Sequence, residues 1–298
     1  MRNKSVITCL IASSLLLASL ASAQSIDAGR GGLPLTVPAS YSDSDPAPLL
    51  VLLHGYGSSG ARQDAYMRFS ALAEQYGYLF IAPDGRQEAG GSNNRFWNAS
   101  KACCDFFAAG EDDAAYIMSI INQIRERFSI DPDRIYLVGH SNGGFMSYHI
   151  AQQYPDTIAA IASLAGAEAA EPRPEPRSPV HILQIHGTED GTIAYDGDSI
   201  AGNRYPGATE TVERWATYNG CARSGLEVAR LDLERELPGL DTRVVRYDSD
   251  CQPGGSSELW TIEGGSHIPA ISDSFSTNVV QWLFAHPKVR SASTNAAD

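Results

Sequence analysis

The sequence predicts an α/β fold: a mostly parallel central sheet with helices on both faces, in a single domain. Three observations point there. Short, continuous apolar runs recur along the chain, as strands buried on both faces require. Segments with apolar residues at helical spacing lie between them. Clusters of Gly, Pro, Asp and Asn punctuate the switches between the two periods. Strands alternating with helices bury their apolar faces best as a parallel sheet covered above and below. The 298 residues suit one such domain, since α/β domains commonly reach about 250 residues.

Residues 49–53 are unbroken apolar and end at His54-Gly55, which predicts a buried strand. Ala65, Phe69, Leu72, Ala73 and Tyr76 then recur at helical spacing and predict one helix. Residues 78–82 predict a second strand, stopped by Pro83-Asp84-Gly85. A polar loop rich in Gly, Asn and Ser runs on through Trp97 to Cys104. Asp112 and Asp113 suit the positive end of a helix dipole, and Ile117, Ile120, Ile121, Ile124 and Phe128 form that helix's buried stripe. Residues 135–138 read as strand, 145–154 as helix, and 158–164 and 180–185 as strands. The stretch 171–179 between the last two carries four prolines and predicts a surface connector within one sheet. Residues 259–262 are a late strand, and Phe275, Val279, Trp282 and Leu283 mark a closing helix.

Composition narrows the function. Hydrophobic residues at 43% and charged residues at 19% are ordinary globular usage, so no low-complexity or fibrous class applies. The formal net charge of −13 argues against a nucleic-acid partner, which needs a basic face, and against docking on anionic lipid. At the N-terminus, Arg2 and Lys4 precede an apolar stretch over 6–20, and Ala21-Ser22-Ala23 reads as a small-residue cleavage site. The expectation is a signal peptide over 1–23 and a single catalytic domain over 24–298. The apolar run falls short of the roughly 20 residues a spanning helix needs. The mature chain is therefore expected to be secreted, extracellular or periplasmic, with no membrane after cleavage.

Export changes how cysteines read. Cys103, Cys104, Cys221 and Cys251 remain after residue 23. An even count in an oxidising compartment favours two disulfides, and four cysteines allow three pairings. Cys221 with Cys251 is favoured because each lies in a stretch rich in Gly, Asp or Asn, which leaves Cys103 and Cys104 to each other. There is no Cys-x-x-Cys and no His-Glu-x-x-His, so no metal site is expected.

One short motif carries most of the chemistry. Gly139-His140-Ser141-Asn142-Gly143 fits G-x-S-x-G between a predicted strand and a predicted helix. A sharp strand-to-helix turn strains the Ser backbone and exposes its hydroxyl, and the flanking glycines avoid clashes inside the turn. The helix behind it aims N–H groups and a positive dipole end where negative charge would develop. A Ser hydroxyl is a poor nucleophile without a base. In the chain order Ser, acid, His, the acid is assigned to Asp190 in His186-Gly187-Thr188-Glu189-Asp190 and the base to His267 in Gly264-Gly265-Ser266-His267. Both follow predicted strand ends, on the edge that should carry Ser141. Glu189 is the rival acid, while His54, His140, His149 and His186 read as structural or loop histidines. The oxyanion hole needs two aimed donors. These are assigned to the backbone N–H of Asn142 and of Tyr56, the latter within His54-Gly55-Tyr56-Gly57-Ser58-Ser59-Gly60.

These stretches resemble exported esterases grouped with the feruloyl esterases and polyhydroxybutyrate depolymerases. The likeness runs through Leu53-His54-Gly55-Tyr56-Gly57, Trp97-Asn98-Ala99-Ser100, Cys103-Cys104, Asp112-Asp113, Gly139-His140-Ser141-Asn142-Gly143-Gly144, His186-Gly187-Thr188-Glu189-Asp190, Asn219-Gly220-Cys221 and the segment from Glu258 to His267. It implies an α/β-hydrolase fold, hydrolysis of carboxylic esters, no cofactor, and the triad Ser141, Asp190 and His267. Two departures concern the cleft. Gly191 and Ala194 stand where the family commonly has Pro, and Ile268-Pro269-Ala270 replaces Thr-Trp-Pro-Gly. Trp97, Tyr56 and Tyr195 are candidates for an aromatic substrate wall. The expected partner is an ester substrate, free or polymer-attached, on a monomeric enzyme. A feruloyl-esterase-like activity is expected first and a polyhydroxyalkanoate depolymerase second. An inactive binding protein on the same fold is the rival from another class.

Overall fold

The computed structural model describes residues 24–89, 92, 94–171 and 173–290. The expected signal peptide, residues 1–23, lies outside the described residues.

The described chain begins in a hairpin, β1 (Gln24–Asp27) and β2 (Gly32–Thr36), and then lays down β3 (Ala47–Leu53). Helix α1 (Gly60–Met67) and the one-turn α2 (Ala73–Tyr76) lead to β4 (Leu79–Ile81). A two-rung hairpin of β5 (Arg86–Gln87) and β6 (Arg95–Phe96) follows, then α3 (Asp113–Arg127), β7 (Ile130–His140) and α4 (Asn142–Gln153). Next come β8 (Ala160–Leu164), β9 (His181–Gly187), and a hairpin of β10 (Gly197–Ile200) and β11 (Asn203–Pro206). Helix α5 (Ala208–Tyr218), the strands β12 (Leu226–Leu231), β13 (Thr242–Tyr247) and β14 (Ser256–Ile262), and α6 (Phe275–Phe284) close the fold.

Ten strands make one sheet in the order β1-β2-β4-β3-β7-β8-β9-β14-β13-β12. The run from β4 to β14 is parallel, and both edges are antiparallel. The apolar runs are explained by burial on both faces. In β3, Leu49, Val51 and Leu53 face the layer that holds α3 and α4, while Leu50 and Leu52 face the layer that holds α6. The α3 stripe behaves as expected: Asp112 caps the helix by accepting the Ala115 N–H at 2.9 Å, and Ile117, Ile120, Ile121 and Ile124 are fully buried.

Two expectations change. The periodic segment 65–76 is not one helix. Arg68 takes φ 58° and ends α1, and the Asp64 carboxylate accepts the Ser70 N–H at 3.0 Å, which turns the chain before α2. Phe69, Leu72, Ala73 and Tyr76 still pack on the sheet, so the spacing marked burial rather than a continuous helix. The second change is at the sheet edges. β12 is exposed along almost its whole length and therefore has no apolar alternation to detect. β1 and β2 are short and carry Gly32 and Pro34, and α5 lay outside the predicted elements. Disulfides join Cys103 to Cys104 and Cys221 to Cys251.

Candidate active site

Parallel pairing puts the ends of β3, β7, β8, β9 and β14 at one edge. Leu53 pairs with Gly139, Gly139 with Ser163, and Gly187 with Ile262. Each following loop starts at that edge, which is where side chains distant in sequence can meet.

Ser141 sits between the end of β7 and the start of α4 at φ 54°, ψ −120°. That backbone region is open to Gly and strained for other residues. Its neighbours must be small. A Cβ on Gly139 would lie 2.1 Å from the Gly143 carbonyl oxygen, and one on Gly143 would lie 2.1 Å from the Leu53 carbonyl oxygen. The tight turn thus draws α4 against β3 and leaves the Ser141 hydroxyl facing the loop after β14.

His267 stands on that loop. Its Nε2 is 3.0 Å from Ser141 Oγ and its Nδ1 is 2.8 Å from Asp190 Oδ2. With Nδ1–H donating to the carboxylate, Nε2 is free to accept the Ser141 O–H. Asp190 is buried, and its Oδ1 accepts the N–H groups of Thr192 and Ile193, each at 2.8 Å. Burial alone would raise this carboxyl, but hydrogen bonds from His186, His267 and the Ile193 amide hold it well below the usual carboxylate range. His140 braces the same loop by donating from Nε2 to the His267 carbonyl at 3.0 Å. Burial pushes the His140 imidazole down to about 4, so it serves as a neutral donor. The rival acid, Glu189, is exposed, and its backbone N–H is taken by Gly265.

The loop after β3 carries the other expected feature. Gly55 lies so close to Ser141 that a Cβ there would meet Ser141 Cβ at 3.4 Å. The Gly55 N–H is held by Gln63 Oε1 at 3.1 Å and the Gly57 N–H by the Arg95 carbonyl at 2.8 Å. Between them the Tyr56 N–H has no acceptor among the described residues. Asn142 is the first residue of α4, where a backbone N–H has no partner within the helix. Its side chain is fully engaged, accepting the Trp97 N–H at 2.7 Å and donating to the Trp97 carbonyl at 2.9 Å, with Cys103 Sγ 3.4 Å away.

The expected aromatic wall is corrected in part. Trp97 is completely buried, with its indole N–H on the His54 carbonyl at 3.0 Å, so it supports the loop after β3 from beneath and does not face solvent. Tyr195 lies edge-on to His186, and its hydroxyl is bonded to Thr261 at 2.9 Å. Three other side chains, on the loops that carry or contact these residues, are exposed to solvent. Phe106 meets the Tyr56 ring edge-on at 5.4 Å, Phe107 is the next residue in the chain, and Ile268 follows His267 in sequence. Sequence reasoning missed them because exposed apolar residues in a loop have no period. Of the two readings of His186, structural or loop, the structure agrees with the first: it is a buried β9 residue 3.2 Å from Asp190.

Residues 39–224 match the phospholipase/carboxylesterase family. Feruloyl esterase B from Piromyces equi is 28% identical over 239 residues, which are 77% of this chain and 41% of that protein. The chain therefore spans about two fifths of that relative's length. Poly(3-hydroxyalkanoate) depolymerase C from Paucimonas lemoignei is 32% identical over 120 residues, 40% of this chain and 28% of that one. Among solved structures, acetyl xylan esterase from Aspergillus awamori aligns with a TM-score of 0.61 at 16% identity, covering 88% of this chain and 98% of that one, which shows a shared fold. The family match extends over more than half the chain and includes the strand–Ser141–helix turn: the protein belongs to the phospholipase/carboxylesterase family of the α/β-hydrolase fold.

Proposed function

We propose that the protein is a serine carboxylesterase that acts through Ser141, His267 and Asp190. The contacts of 3.0 Å and 2.8 Å that link these side chains at one sheet edge carry the reading. Ser141 Oγ attacks the ester carbonyl while His267 Nε2 takes its proton. The Tyr56 and Asn142 amides receive the oxyanion. His267 then protonates the leaving alcohol, and a water activated by the same imidazole releases the acid. Asp190 stays ionised and holds the imidazole in its working tautomer.

The preferred substrate is a hydroxycinnamoyl ester of plant polysaccharide. The similarity to a feruloyl esterase supports this, as does the exposed aromatic pair of Tyr56 and Phe106, which suits a flat aromatic acyl group. Hydrolysis of polyhydroxyalkanoate is the second reading, favoured by the local similarity to a depolymerase. Export behind residues 1–23 and a monomeric state belong to the same proposal. No helix among the described residues is long and apolar enough to cross a membrane.

Ser141→Ala is expected to abolish turnover of a p-nitrophenyl ester with an unchanged circular dichroism spectrum. Retained turnover refutes the nucleophile. Methyl ferulate assayed against hydroxybutyrate oligomers separates the two substrate readings.

A further inference from the structure

A buried hydrogen-bonded chain stands behind Asp190. Gln184 and His186 are two residues apart on β9 and so share one side of the strand. Both are buried, as is Tyr148 on α4. The Tyr148 hydroxyl donates to Gln184 Oε1 at 2.8 Å. Gln184 Nε2 donates to the Gly166 carbonyl at 2.7 Å and lies 3.0 Å from His186 Nδ1. The Gly166 oxygen only accepts, so the amide N–H₂ must be on that side. His186 Nδ1 is then the acceptor, and His186 Nε2 carries the proton. That N–H donates to the Ile193 carbonyl at 2.8 Å, with Asp190 Oδ2 3.2 Å from the same nitrogen. Ile193 is also one of the two residues whose N–H groups hold Asp190 Oδ1. One imidazole therefore fixes the turn that grips one carboxylate oxygen and touches the other.

We propose that Tyr148, Gln184 and His186 are positioning residues: the chain they form sets His186 as an Nε2–H donor, which holds the Asp190 carboxylate in the orientation that aims His267 at Ser141. The proposal rests on reading Asp190 as the triad acid. Its physical sense is the coupling of two elements. α4 begins at the nucleophile and carries Tyr148 two turns later, while β9 leads into the acid's loop. A run of buried, fully paired polar groups is directional and stiff, because any rotation leaves a donor or acceptor unpaired. Three titratable groups face this chain: Tyr195, edge-on to the His186 ring; His140; and Glu168, which acts on Tyr148 and whose carboxyl burial pushes up to about 7. His140, 5.1 Å from the His267 ring, is neutral, and burial raises the Tyr148 phenol well above its ordinary range, so it stays a donor.

The test uses His186→Phe, His186→Gln and Gln184→Met in the full chain, with kcat/KM for a p-nitrophenyl ester followed against pH and with thermal unfolding recorded. In His186→Phe, kcat falls about tenfold, the scale of a lost hydrogen bond near a charge, while KM is unchanged. The acid limb of the profile moves to higher pH, because His267 is then the one imidazole left on the carboxylate and draws more of its charge. His186→Gln, whose amide can still reach the Ile193 carbonyl, recovers most of both effects. Gln184→Met frees the His186 tautomer and moves the limb in the same direction, and it carries the test should His186→Phe fail to fold. Acid limbs that superpose on the wild type, with only activity and melting temperature lowered, overturn the proposal. Ser141→Ala run in parallel keeps the two ideas apart: turnover surviving there strikes the triad, whereas an unmoved limb with Ser141→Ala inactive strikes the chain behind it.

Discussion

Glu168→Gln should remove a defined part of the pH dependence of stability. Glu168 follows β8 on the carboxyl edge and is 3% exposed. Its Oε1 accepts the Tyr218 hydroxyl at 3.3 Å, while Oε2 has no hydrogen-bond partner among the described residues. Burial pushes its carboxyl up from 4.5 to about 7, against the opposing pull of Arg214. A raised carboxyl favours the protonated form in the folded state. Its contribution is fully present below about pH 4.5 and is lost as pH rises to about 7. A shift of that size corresponds to at most about 3 kcal/mol, at about 1.4 kcal/mol per pH unit. Several buried histidines act in the opposite sense: His54, His140 and His149 are all pushed down to about 4 by burial and so favour folding as pH rises. The comparison with the variant cancels them. Urea unfolding of both proteins at pH 5 and pH 8 is the assay, and the glutamine variant should gain about 1–3 kcal/mol on the wild type across that interval. Stability curves that stay parallel between the two pH values would falsify the assignment of a neutral, buried Glu168.

Two further outcomes follow from the geometry. Ser141→Gly should melt above Ser141→Ala with both inactive, because glycine relieves the positive φ at the nucleophile; the gain is up to about 2 kcal/mol after glycine's own entropy loss. Equal melting temperatures would mean that the turn stores no strain. Replacing Cys221 and Cys251 together by Ser opens a link across a sequence separation of 30 and should cost about 3–4 kcal/mol on chain entropy, while kcat/KM at low temperature is retained. A drop in kcat/KM with unchanged stability would reverse that account.

The central strands were readable from the chain alone because each is buried on both faces, so that 49–53 and 135–138 stand out as unbroken apolar runs, and 158–164 and 180–185 as apolar runs interrupted only by Ser163, and by His181 and Gln184. The nucleophile turn was equally legible, since only glycines tolerate the contacts at positions 139 and 143, and a glycine requirement is written directly into sequence. Sequence order also placed Asp190 and His267 after strand ends. What the sequence could not carry is register: that β9 lies beside β14, so that Gly187 meets Ile262 and the two loops face each other, is a property of pairing between segments some 75 residues apart. The same limit hid His186 and Trp97. A lone histidine and a lone tryptophan have no period, and whether such a side chain faces solvent, substrate or core is decided by its neighbours in space. Tertiary structure turned the first into a partner of Asp190 and the second into a buried brace, because burial and hydrogen-bond partners exist only once distant segments have packed.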